Sequence, residues 1–109
     1  MIEALLGSLN CERALIFLRA RGQGYAREIT RYFRTGLAPI QRQLDKLEQN
    51  GILYSELIGR TRVYKFDPRY PFLSELGSLL DKALQAYPDQ QREALLMNRR
   101  RPRRRGKPL

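Results

Sequence analysis

The chain has 109 residues, 42% of them hydrophobic, with 21 Lys and Arg against 11 Asp and Glu, no His and one Cys. That length supports one small domain with appendages, and no apolar run approaches the ~18 residues of a membrane-spanning helix. The net charge of +10 points to a polyanionic partner, and a lone Cys11 excludes an internal disulfide and fits a reducing cytoplasm.

Residues 1–9 read as an apolar lead-in, with Ile2, Leu5, Leu6 and Leu9 near helical spacing. The segment carries Glu3 and is too short for a secretory signal, so a cytoplasmic location is expected. Asn10 is a suitable N-cap for a helix running to about Arg21, with Glu12 in the first turn, where the helix dipole favours an acid. Ala14, Phe17 and Leu18 give that helix one buried face, and Gly22 and Gly24 end it. A second helix spans about Ala26 to Phe33, with Ile29 and Phe33 turned to the core.

After a turn at Thr35-Gly36-Leu37 the spacing predicts a longer helix with Pro39 at its first position and Gly51 as its stop. Ile40, Leu44 and Leu47 fall at i, i+4 and i+7 on one face, while Gln41, Arg42, Gln43, Asp45 and Lys46 occupy the rest. Two helices joined by a short Gly-containing turn form the pattern of a helix-turn-helix. Arg and Gln are the side chains that bond guanine and adenine edges bidentately in the major groove. The recognition helix is therefore placed at about 38–50.

The period then changes. Ile52 to Ile58, a tight Gly59-Arg60-Thr61 turn, and Arg62 to Phe66 read as strand, turn and strand. A hairpin directly after a recognition helix is a wing, with Arg60 and Arg62 set for the phosphate backbone or the minor groove. Arg27 and Arg31 on the preceding helix are further backbone candidates, or partners of Glu28 or Asp45. Asp67-Pro68 closes the hairpin and Pro71 opens another helix. There Phe72, Leu73, Leu76, Leu79, Leu80, Ala83 and Leu84 form a wide apolar face that Pro88 ends.

Asp89 caps a last short helix, Gln90 to about Asn98. From Arg99 to Leu109 lie six Arg and one Lys without an acid (Arg99, Arg100, Arg101, Arg103, Arg104, Arg105 and Lys107), so the tail carries +7 of the +10 and residues 1–98 keep +3. A segment of that composition cannot build a core and is expected to be disordered when free. It reads either as a sequence-independent nucleic-acid arm or as a solubilising end. The expected class is mainly α with a small antiparallel β-hairpin: a winged helix-turn-helix domain over 1–88, a short helix over 89–98 and a basic tail over 99–109.

The motifs that carry a family likeness are four. They are Leu6-Gly7-Ser8 with Arg13 and Ile16-Phe17; Tyr25-Ala26-Arg27-Glu28-Ile29; Leu44 through Leu53 (LDKLEQNGIL); and Gly59 through Pro68 (GRTRVYKFDP). Over residues 6–86 the chain resembles winged-helix regulators of the ArsR/MarR-like group, and in particular the small winged domains found beside or fused to nucleotidyltransferases. The resemblance implies a three-helix core with a two-stranded wing, usually dimeric, acting in transcription. It also implies base reading from Ala38, Pro39, Gln41 and Arg42. Relatives commonly carry Ser or Thr where this chain has Ala38-Pro39, which leaves Gln41, Arg42, Gln43 and Lys46 as the main polar set.

No His, no phosphate-binding Gly-rich motif and no paired carboxylates are present, so neither an enzyme nor a cofactor is expected. With no His and a single Cys, a dedicated metal site is not expected either. Cys11 reads as an inert, half-buried small residue, the other reading being an oxidant sensor. The face from 72 to 84 exceeds what so small a core absorbs. Leu5, Leu6, Leu73, Leu76, Leu80 and Leu84, with Leu9, are expected at a two-fold homodimer interface matching palindromic DNA half-sites. Two other functions stay open: a module docking a protein such as a nucleotidyltransferase-type partner through that face, and RNA binding led by the tail.

Overall fold

The computed structural model describes residues 1–96 and is built around one helix, α2 (Leu9–Arg21). Against it lie α1 (Glu3–Leu6), β1 (Gly24–Tyr25), α3 (Ala26–Phe33), α4 (Leu37–Gln49), β3 (Thr61–Phe66) and α5 (Leu73–Ala86); β2 (Leu53–Ile58) completes the hairpin. The single buried face expected of α2 is too narrow. Cys11, Leu15, Ile16 and Ala20 are buried along with Ala14, Phe17 and Leu18, because neighbours pack on nearly every side, and such a helix must be apolar most of the way round.

The N-cap of α2 is Ser8 and not Asn10. Ser8 is extended and its Oγ accepts from the Cys11 N–H at 3.0 Å, filling one of the donors a helix start leaves open. Glu12 is the larger surprise. It is 1% exposed, its Oε1 accepts from the Ile2 N–H at 2.9 Å and its Oε2 from the Tyr87 hydroxyl at 2.7 Å. The acid that suits a helix dipole thus joins the N-terminal lead-in and the end of α5 to the central helix.

Three antiparallel strands, in the order β1-β3-β2, replace the expected two. Gly24 and Tyr25 pair with Tyr64 and Val63, so Gly24 is a strand residue and only Gly22 ends α2. A side chain at Gly24 would place its Cβ 2.9 Å from Phe17 Cε1 and 3.2 Å from Leu18 Cδ2, so glycine lets the strand lie directly on α2. The hairpin pairs Leu53 with Phe66 through Ile58 with Thr61, leaving Gly59-Arg60 as a two-residue turn. Gly59 has φ +64°, the first-position glycine that strand twist favours in such turns.

The turn between α3 and α4 is Arg34-Thr35-Gly36, with Arg34 left-handed at φ +55°. α4 starts at Leu37, so Pro39 is its third residue. That position is still within the first turn, where an N–H has no intrahelical acceptor to lose. Ile40 and Leu44 are fully buried and Leu47 nearly so. Ile29 is buried as expected, whereas Phe33 is only half-buried at the core edge.

α5 begins at Leu73, two residues after Pro71, and leaves Phe72 exposed. Leu80, Ala83 and Leu84 are buried in the domain's own core. Leu80 and Leu84 are therefore not available to a partner, which corrects their assignment to an interface; the small core needs them to cover α2. Leu5 is exposed, and Leu6, Leu73 and Leu76 are half-buried. Arg19 clamps α2 to α5 through two bonds to Asp81, at 2.7 and 2.8 Å. Its guanidinium lies over Gly77, where a Cβ would stand 3.0 Å from Nη1.

A final helical stretch covers residues 89–96 and is tied in by the fully buried Leu95 and by Tyr32, whose hydroxyl donates to the Gln91 carbonyl at 3.1 Å. Asp89 opens this stretch and does not precede it. The expected end at Asn98 and the whole Arg-rich tail lie outside the described residues. Among the described residues no helix is long and apolar enough to cross a membrane.

Candidate nucleic-acid interface

The core stripe of α4 fixes what its other faces meet. With Ile40, Leu44 and Leu47 inward, Gln41, Asp45 and Glu48 form the flank toward the hairpin. Gln43, Lys46 and Asn50 form the opposite flank, and Ala38, Arg42, Asp45, Lys46 and Gln49 are exposed. Arg42 stands in the middle of the exposed stripe.

The hairpin flank is bonded to the wing. Gln41 Nε2 donates to Asp45 Oδ1 and to the Tyr64 hydroxyl, both at 3.0 Å. Tyr64 is 1% exposed, and burial first of all pushes its hydroxyl pKa up, which keeps it protonated beside the Asp45 carboxyl at 3.4 Å. One turn on, Ser55 Oγ donates to Glu48 Oε2 at 2.8 Å and accepts from Arg62 Nη1 at 2.9 Å. Two polar bridges, one through Tyr64 and one through Ser55, therefore lock the helix and the hairpin into one body.

This geometry sorts the expected base readers. Both amide hydrogens of Gln41 are engaged, one by Asp45 and one by Tyr64, so it cannot offer adenine the donor–acceptor pair that bidentate reading needs without giving up its bridges. Gln43 and Lys46 line a groove of about 510 Å³ on the far flank with Leu5, Leu6, Cys11, Leu15, Tyr70 and Leu76. They face away from the hairpin. Pro39 is half-buried and Ala38 exposed; neither side chain has a hydrogen-bonding atom. Arg42 alone combines exposure with a charged bidentate head.

Beside it, three segments meet at one cleft of about 300 Å³. Its lining includes Tyr25 and Arg27 at the start of α3, Leu37 at the start of α4, and Arg60, Thr61 and Arg62 at the hairpin tip. Gly36, the N-cap of α4, has no side chain to fill the helix's first donors, so those N–H groups remain for an anion. Arg31 is exposed on α3 but does not line this cleft. Neither Arg27 nor Arg31 pairs with Glu28 or Asp45: Glu28 Oε2 stands 3.7 Å from Arg21 Nη1, and Asp45 is held by Gln41. Arg21 itself lies over the Phe17 ring at 4.4 Å and belongs to the interior.

The helix–hairpin bridges are not legible in the sequence, although Gln41 and Asp45 are spaced i, i+4, a pair that bonds on any helix. Cys11 is 6% exposed and burial raises its thiol pKa, the environment of an unreactive cysteine. Among the described residues no cluster of His, Cys, Asp or Glu suits a metal.

Two solved structures share this fold. A MarR-family transcriptional regulator from Silicibacter pomeroyi superposes with TM-score 0.55 at 22% identity, covering 95% of this chain and 76% of its own. An apo-form double mutant of ZitR from Lactococcus lactis superposes with TM-score 0.54 at 17% identity, covering 80% of this chain and 74% of its own. No protein-family model and no curated protein sequence matches the chain. The likeness establishes the winged-helix fold.

Proposed function

We propose that the chain binds double-stranded DNA in a sequence-dependent manner and serves as a cytoplasmic transcriptional regulator. The observation that carries this reading is the convergence of Arg27 from α3 with Arg60 and Arg62 from the hairpin tip on one open cleft beside the exposed face of α4. A surface helix shows polar residues for no special reason. Cations gathered from α3 and the hairpin around the bare start of a second helix have a reason in a phosphate backbone.

In this reading α4 enters the major groove with Arg42 foremost, while Arg27, Arg60 and Arg62 take backbone phosphates across the cleft. Ala38 and Pro39 allow close approach without reading a base, and Lys46, Gln43 and Arg31 border the contact. The tail adds affinity without sequence information. A structural neighbour that carries the name transcriptional regulator supports the same assignment. A homodimer is part of the proposal, formed around Leu5, Leu6, Leu73 and Leu76. The docking alternative loses ground, because Leu80, Ala83 and Leu84 of the 72–84 face are spent on the core.

Selection from a pool of random duplexes by the full chain tests this. Enrichment of a defined motif is the expected result, and an unenriched pool after repeated rounds overturns the proposal.

A further inference from the structure

Asp45 is the one carboxyl on the exposed stripe of α4, and it sits one turn from Arg42. In a chain of charge +10 facing two phosphate strands, a carboxylate there weakens binding to DNA in general. It is also not left to rotate. Gln41 Nε2 holds its Oδ1 at 3.0 Å and the Tyr64 hydroxyl stands at 3.4 Å, while Oδ2 takes no hydrogen bond among the described residues. Gln41 is fixed in turn by Tyr64, which is buried between helix and sheet. The framework thus spends two side chains on orienting an acid whose second oxygen remains open.

An aimed acceptor in the major groove has one partner of choice, the N4 amino group of cytosine. We propose that Asp45 is a specificity-determining residue that selects cytosine at one position of the site, with Gln41 and Tyr64 as its positioning residues. This rests on the reading of α4 as the DNA-reading helix. Asp45 lies about 4.5 Å along the helix axis from Arg42, and base pairs are spaced about 3.4 Å. The cytosine therefore falls within two base pairs of the position that Arg42 sets. At guanine or thymine the carboxylate meets acceptors or a methyl group, and at adenine the N6 amino group lies beside the N7 acceptor, so cytosine compensates its charge best and Asp45 acts chiefly by rejecting wrong sequences.

The test measures the full chain and its Asp45→Asn variant against the selected duplex and against duplexes carrying each of the other three bases at every position. Asp45→Asn is isosteric at an exposed site, and an unchanged thermal midpoint confirms its fold. The expected outcome has two opposed parts. Preference for cytosine at one position falls about tenfold, while affinity for unrelated DNA rises. Gln41→Met, which frees the carboxyl from its bridge, weakens the preference at that same position. An Asp45→Asn variant that keeps the wild-type preference at every position overturns the assignment, with the reading of α4 intact if Arg42→Ala still alters its own position. If neither variant changes any position, α4 does not read the bases and both fall.

Discussion

At the scale of single residues, the side chains that decide this molecule are those whose partners come from distant parts of the chain. Glu12 looks like an ordinary first-turn acid, yet it is buried and bonded to the Tyr87 hydroxyl at 2.7 Å. Burial, with Glu12 next, pushes the Tyr87 pKa far above its usual value, so the hydroxyl donates throughout the ordinary pH range. Tyr87→Phe strips a buried acceptor of its donor and is expected to cost about 1–3 kcal/mol, measured by urea unfolding; a change of a few tenths would mean water replaces the hydroxyl. Arg42 was legible because its exposure follows from the i, i+4, i+7 spacing of Ile40, Leu44 and Leu47 alone. Gln41 was not. Nothing in its own helix says that Tyr64, far along the chain, takes its amide hydrogen.

At the scale of elements, the sequence announced those whose signals are local. The ranges of α3 and the hairpin, the stop near Gly51 and the break at Pro88 all come from capping, period and punctuation. β1 escaped because a two-residue strand has no period, and Gly24 reads the same whether it ends a helix or clears space for Phe17. Gly24→Val forces a branched side chain into the space of the Phe17 ring and is expected to lose about 1–3 kcal/mol. Phe17→Leu in the same chain should recover part of that loss, and no recovery would place the strain elsewhere. α5 was over-assigned to a partner for a related reason: an apolar stripe does not say whether it covers the molecule's own core or another's.

The clamp between α2 and α5 has a pH signature. The hydrogen bond from Arg19 holds the Asp81 pKa below its usual value. Its stabilisation is therefore present above the unfolded-state carboxylate range and lost as pH falls through the lower folded-state value. With the Asp81 side chain 51% exposed, the contribution stays below about 1 kcal/mol. Asp81→Asn should destabilise the chain slightly at neutral pH and not at all near pH 2; a difference that persists in acid would mean the pair acts through packing.

At the scale of the whole molecule, polar bridges join helix and hairpin into one surface, and the charge is unevenly spread along the sequence. The tail holds +7 of the +10, and the proposed function gives sequence preference to the winged body and bulk affinity to the tail. The described body measures 43 × 34 × 28 Å, against about 34–36 Å for one turn of DNA. Under the proposed function one copy covers one half-site, and a palindrome calls for two.

The most direct test is fluorescence anisotropy at near-physiological salt with the duplex upstream of the protein's own gene and a scrambled duplex. Wild type and Arg42→Ala are titrated side by side. Tighter binding to the upstream duplex is expected, with that preference reduced by about 1–3 kcal/mol in Arg42→Ala and little change toward the scrambled one. Equal affinity for both duplexes, untouched by Arg42→Ala, would contradict it.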